Sequence, residues 1–247
     1  METRERMAVE RRSAEGEVVG GALRRASGLL WMLAPLWYVL SEAIAAAGFR
    51  GYSYAQNYIS DLGVPGTGRL DGRDLDSTMS AVMNAGFIGE GLLVALAAVL
   101  LYAALPPLRG RSVLLVLVLV HAVGISIVGL VHGSPANLEN GLMAVHGLGA
   151  VAAIGAGNLG AIVAGAFALR DVLPLRLRIA GIVLGGVGFL GAVLLKAHLF
   201  FPDGVTERVA VYAVMLWHLT LGIGLLLRGG VSSRCARSTT GGAASGR

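Results

Sequence analysis

The stretch SVLLVLVLVHAVGISIVGLVH, residues 112–132, decides the class of fold. It contains no Asp, Glu, Lys or Arg, and a helix of about 20 residues is long enough to cross the hydrocarbon core of a bilayer. Similar stretches follow one another along the chain. The sequence therefore predicts an all-α, polytopic integral membrane protein, a bundle of six transmembrane helices with spans at 28–48, 81–105, 112–132, 141–169, 177–201 and 209–227.

The composition of the whole chain agrees with this prediction. Of the 247 residues, 55% are hydrophobic and 14% are charged, and the mean hydropathy is +0.71. Soluble domains carry about 25% charged residues, so we expect no separate globular domain. We predict a membrane domain at 28–228 between two disordered cytoplasmic tails, 1–27 and 229–247. Cys235 is the only cysteine, which excludes a disulfide within the chain.

The positive charge of the chain follows membrane topology. The net charge is +5, but the Arg residues stand at the ends of apolar stretches instead of forming one basic patch, so we expect no nucleic-acid partner. A cytoplasmic N-terminus leaves only Arg50, Arg69, Arg73 and Arg208 outside. We therefore predict a multi-pass protein of the plasma (inner) membrane, surrounded by its lipids, with both termini cytoplasmic.

A cleaved first span is the alternative to six spans. Ala45-Ala46-Ala47 fits the small-residue site of a signal peptidase, and cleavage there would leave five spans. The charged leader before it is longer than signal peptides have, which favours six.

Polar residues of an outer layer are predicted at the extracytoplasmic ends of the spans and in the loop before the second span. Imidazole and carboxylate groups are ordinary zinc ligands, so a zinc site with metal-assisted catalysis is one hypothesis, with Ser60 as a polar helper. The alternative is that these side chains bond headgroups, water or loop backbone. The layer consists of Ser60, Asp61, Asn84, His132, His146 and His198.

A second layer of polar residues is predicted near the middle of the membrane, from their positions along the spans at 1.5 Å per residue. It contains Glu90, His121, Asn158 and His218. A carboxylate at this depth is costly unless it is paired or protonated, so it should face the bundle interior. A proton relay, a polar solute site and a structural Glu–His pair are the alternatives, and haem ligated by His121 and His218 is a further one.

Small residues recur at every fourth position of the fourth predicted span. Such ladders let helices approach closely in lipid. They favour packing within the bundle, and the alternative is a seam to a second copy or to a membrane partner. The ladder consists of Gly149, Ala153, Gly157, Ala161 and Gly165.

Several short motifs carry a resemblance to a known family. They are NYISDLG at 57–63, Met83-Asn84, HGLGA at 146–150 and Gly157-Asn158-Leu159. Together they resemble the bacterial and archaeal membrane proteins catalogued as domain of unknown function 998. The resemblance implies that Ser60, Asp61, Asn84, His146 and Asn158 are signature polar positions of the family. The turn at 132–135, HGSP, departs from the Phe-Pro-containing turn expected there, and NYISDLG can also be a structural cap before the second span.

Three functions are open at this stage. The first is a membrane hydrolase or lipid-modifying enzyme, with an outer site made of Asp61, Ser60, His146 and His198. The second is a proton-coupled transporter that uses Glu90. The third is a non-catalytic scaffold or partner subunit, which the small-residue ladder favours.

Overall fold

The computed structural model describes the backbone of residues 2–238 and, continuously, the side chains of residues 18–227. It contains seven α-helices and a small hairpin in this range. Their bounds are α1 Glu2–Ala47, β1 Gly66–Leu70, β2 Arg73–Ser77, α2 Ser80–Ala104, α3 Arg111–Leu130, α4 Pro135–Glu139, α5 Met143–Val163, α6 Leu175–Ala197 and α7 Asp203–Ser238.

The six predicted spans are confirmed. Six helical stretches are long and apolar enough to cross a membrane, and together they form an all-α bundle. The cytoplasmic placement of the termini stays a prediction. The stretches are Val18–Ala47, Ser80–Ala104, Arg111–Leu130, Met143–Ala168, Leu175–Ala197 and Asp203–Leu227.

The terminal helices extend further than the predicted spans. α1 begins at Glu2, where we expected a disordered tail over 1–27. This segment is rich in Ala, Glu, Arg and Met, which have high intrinsic helix propensity and can continue a membrane helix into water. α7 likewise continues to Ser238, and the remainder of the second predicted tail, 239–247, lies outside the described residues.

The helices pack so that α1 contacts α2 and α7, α3 contacts α2 and α5, and α6 contacts α5 and α7. Two hydrophobic clusters result. One lies toward the α2–α3 loop around Trp31, Leu101 and Trp217, and the other lies toward the hairpin around Tyr38 and Met83. The middle of the bundle is therefore closed by apolar side chains on both sides.

The small-residue ladder of α5 is used inside the chain. A Cβ atom on Gly149 would lie 2.6 Å from Ile127 Cγ2 of α3, and one on Gly165 would lie 2.3 Å from the backbone oxygen of Arg178 of α6. All five ladder residues are buried, so they pack against neighbouring helices of the same bundle.

The hairpin between α1 and α2 was not predicted. β1 and β2 pair antiparallel, and the two residues that join them, Asp71 and Gly72, have φ angles of 48° and 79°. Two successive residues with positive φ are the mark of a type I′ turn, which Asp-Gly favours. The Asp71-Gly72 pair was therefore the sequence signal for this hairpin.

We predict that Gly124→Ala destabilises the bundle by about 1–3 kcal/mol, because the added Cβ has no space. It would lie 2.5 Å from the backbone nitrogen of Ala153 and 2.6 Å from the backbone oxygen of Gly149, and backbone atoms cannot move aside easily. The matched control is Gly155→Ala, whose Cβ meets nothing within 4 Å. Unfolding by SDS titration in detergent micelles measures both, and equal stability of the two variants would contradict the packing described here.

Candidate functional site

Three ionisable side chains meet in the middle of the bundle. Glu90 comes from α2, His121 from α3 and His218 from α7, and their exposed fractions are 0%, 2% and 2%. Glu90 and His121 each stand about 15 Å from the start of their helices, which places them near the middle of those helices. The structure thus brings together three of the four residues that the sequence predicted for this layer. We call them the central triad.

Both imidazoles of the central triad contact the same carboxylate. His218 Nδ1 lies 3.1 Å from Glu90 Oε1, and His121 Nε2 lies 3.2 Å from Glu90 Oε2. The two imidazole rings are 5.3 Å apart between centroids and nearly perpendicular. This arrangement does not fit haem ligated by His121 and His218, because axial ligands approach the iron from opposite faces of a wide ring.

The orientation of the His121 ring is fixed by a hydrogen bond at the nitrogen that does not face Glu90. Its Nδ1 donates a hydrogen bond to the backbone oxygen of Ala153, at 2.8 Å. A carbonyl only accepts, so Nδ1 carries a proton and Nε2 is the atom presented to Glu90. Gly157 makes room for the ring, since a Cβ there would lie 2.8 Å from Nδ1.

Trp31 of α1 packs against the central triad through its contact with His218. Its ring centroid lies 4.8 Å from that of His218. Its indole nitrogen is buried and has no hydrogen-bond partner among the described residues. Such a buried N–H costs free energy unless an acceptor reaches it.

A second buried carboxylate, Glu42 of α1, shows how the chain neutralises such a group permanently. Glu42 Oε1 accepts hydrogen bonds from Arg208 of α7 at 2.9 and 3.2 Å, and Glu42 Oε2 accepts one from Tyr212 at 2.7 Å. Arg208 also donates to three backbone oxygens and to the hydroxyl of Tyr52. Sequence analysis missed this pair, although a glutamate inside the first predicted span was a signal for it.

Asp61 is held in place by the loop and the hairpin. Its Oδ2 atom accepts hydrogen bonds from Arg73 Nε at 2.9 Å, the Tyr58 backbone N–H at 3.0 Å and Asn57 Nδ2 at 3.2 Å. Burial lowers the pKa of Arg73, but the hydrogen bond and charge of Asp61 outweigh that effect and raise it. Ser60 begins the adjoining 3-10 turn, Ser60–Gly63, and is half-buried. These contacts support the structural interpretation of the NYISDLG motif.

Asn84 and two of the outer histidines tie loops to helix ends. Asn84 Nδ2 lies 2.9 Å from the backbone oxygen of Gly63 and 3.0 Å from His132 Nε2. The amide of Asn84 donates the second of these bonds, so His132 Nε2 accepts it, and burial lowers the pKa of His132. His146 Nδ1 donates to the backbone oxygen of Val131 at 2.7 Å.

The remaining predicted polar residues lie elsewhere. His198 is 66% exposed in its side chain and pairs with Asp203 at 2.9 Å. Asn158 is buried and donates to the backbone oxygens of Ile154 and Ala210, at 2.9 and 3.1 Å, which joins α5 to α7.

The outer layer is not assembled as one metal-binding group. Among the residues that the structure describes, the side chains close enough together to ligate one ion are those of the central triad. The structure does not bring the residues of the outer zinc hypothesis together in this way, because each is engaged by its own local partner. Those residues are Asp61, His132, His146 and His198.

Comparison with protein families matches residues 32–224 to the family described as "Protein of unknown function (DUF998)". Comparisons with curated proteins and with solved structures found no match.

We predict that Asp61→Asn lowers the free energy of unfolding by about 3 kcal/mol, because it leaves the guanidinium of Arg73 without its buried carboxylate. The matched control is Asp74→Asn in β2, whose side chain is 89% exposed and which we expect to change stability by less than about 0.5 kcal/mol. Denaturant titration in micelles measures both. A fully stable Asp61→Asn protein would show that Asp61 has no structural role.

Proposed function

This chain belongs to the DUF998 family, and from that premise we propose that it is a membrane transporter for a small cation, with the central triad as its substrate site. The proposal places Glu90, His121 and His218 in direct contact with the transported ion. It uses the intramembrane residues of the transporter hypothesis and none of the outer layer.

The observation that carries the proposal is the difference between the two buried glutamates. Glu42 has a guanidinium as its partner, and a guanidinium stays charged under all physiological conditions. The ionic partners of Glu90 in the described part of the chain are two imidazoles, and an imidazole, unlike a guanidinium, can give up its proton and its charge at physiological pH. An ionised carboxylate deep in a membrane needs a positive charge nearby, so ionised Glu90 favours a cation that can arrive and leave.

The closed surroundings of the central triad favour an ion over a larger substrate. An enzyme that cleaves a lipid or peptide needs a cleft in which the scissile bond reaches the reactive groups. The central triad is at most 2% exposed and lies between two apolar clusters, so its substrate must be small and must enter through a movement of the helices. The contacts of Asp61, His146 and His198 described above give the hydrolase hypothesis no comparable support.

Helix α6 is the element best suited to such a movement. In an apolar stretch of 18 residues in α6, 22% is buried inside the protein, against 61% in the corresponding stretch of α7. Its buried residues are Gly181, Gly185, Gly188 and Gly191, so it packs on its neighbours without large interlocking side chains, and shear movements are small displacements of packed helices. The segment that directly follows α5, Ala164–Ala168, is a π-helix, a distortion common at functional sites.

We predict that Glu90→Gln abolishes cation transport while the protein stays folded, because the neutral amide removes the charge that attracts the ion. The protein is reconstituted into liposomes, and transport currents are recorded on a solid-supported membrane with a panel of inorganic mono- and divalent cations. We expect a current for at least one cation, and a loss of at least about tenfold in the variant.

The matched control is Glu139→Gln, the same chemical change at an exposed position of α4, and its current should equal that of the wild type. Elution of each protein as a single detergent-solubilised species establishes that it is folded. An unchanged current in Glu90→Gln, or no cation current in folded wild-type protein, would rule out the proposed function.

A further inference from the structure

We infer that the cation held by the central triad is a divalent transition-metal ion of the zinc type. The inference rests on the proposed transport function, because it names the substrate class of the same site.

The donor atoms select the class of ion. Two imidazole nitrogens and one carboxylate oxygen are typical ligands of Zn²⁺ and Fe²⁺, and Co²⁺ binds the same donors. Mg²⁺ and Ca²⁺ prefer shells made of oxygen atoms, and monovalent cations bind imidazole weakly. The central triad therefore discriminates against the common alkali and alkaline-earth ions by its chemistry.

The separations of the donor atoms fit one ion between them. Metal–ligand bonds of 2.0–2.2 Å place the ligands of a tetrahedral ion about 3.3–3.6 Å apart. The Glu90 oxygens lie 3.1 Å from His218 Nδ1 and 3.2 Å from His121 Nε2, and the three ligand atoms all lie within 4.8 Å of one another. Small side-chain rotations are enough to admit the ion, and three protein ligands leave one position for an exchangeable ligand.

The hydrogen bond at the second ring nitrogen of His121 is of the kind that metal-binding histidines make. Such a histidine usually donates its second ring N–H to a backbone carbonyl or a carboxylate, which fixes the ring and makes the ligating nitrogen more basic. His121 does so through Nδ1 to the backbone oxygen of Ala153. Nε2 is therefore already presented for ligation.

Trp31 supplies a further, independent observation. Its side chain is 1% exposed, it packs against His218, and its indole N–H lacks a partner among the described residues. A water or small anion that accompanies the metal would give this N–H its acceptor.

The test is metal binding and metal uptake by the full chain, with Zn²⁺ and Co²⁺ as the probes and Mg²⁺ as the comparison ion. Equilibrium dialysis of the detergent-solubilised protein should give about one Co²⁺ per chain, with visible absorption bands typical of tetrahedral coordination. Glu90→Gln and His121→Gln should each weaken binding by at least about tenfold. His132→Gln and His198→Gln are matched controls that change other imidazoles and should bind as the wild type does.

Uptake of Zn²⁺ into liposomes that contain a zinc indicator separates the two proposals. Binding together with Glu90-dependent uptake supports both. Stoichiometric binding of Zn²⁺ or Co²⁺ without transport of any cation overturns the proposed transport function and supports the metal site alone. The opposite result is a Glu90-dependent current of another cation, with no stoichiometric binding of Zn²⁺ or Co²⁺ to wild-type protein. It overturns the inference of a zinc-type ion and supports the transport function alone. Wild-type protein alone decides the binding question, so a variant that fails to fold does not weaken the test.

Discussion

The charge of a carboxylate inside a lipid-embedded bundle has to be balanced, and this requirement shapes the interior of the protein. Insertion of an unbalanced acidic residue at mid-membrane costs about 2.5–3.5 kcal/mol. Glu42 meets the requirement with Arg208, a permanent cation that is itself held by three backbone oxygens. Glu90 meets it with His121 and His218, whose charge depends on what they bind. The pairing of Glu42 with Arg208 is suited to a stable contact between helices. The pairing of Glu90 with two imidazoles is suited to the exchange of a bound cation.

Helix α7 connects these two arrangements. It carries Arg208 near its start and His218 ten residues later, about 15 Å further along the axis. Between these two residues, the backbone oxygen of Ala210 accepts a hydrogen bond from Asn158 of α5. A movement of α7 away from α1 would therefore break the Glu42–Arg208 pair.

Sequence reasoning predicted much of the fold and the level of the site, but not the partners within it. Hydropathy defined the six spans because lipid demands long apolar helices, and the rise per residue placed Glu90, His121 and His218 at one depth. Which way each side chain points depends on helix rotation, which periodicity did not reveal in helices that are apolar on all sides. For the same reason Glu42 and Arg208, 166 residues apart, could not be paired in advance, and the outer histidines shared a predicted level without sharing a site.

The central claim is that the positive charge next to Glu90 is an exchangeable ion bound by all three residues of the central triad. An anomalous difference map from crystals soaked in Zn²⁺ and measured at the zinc absorption edge tests it most directly. The account predicts one strong peak about 2.0–2.2 Å from Glu90, His121 and His218. Zinc peaks confined to surface groups such as His198 and Asp203, with none between these three side chains, would contradict it.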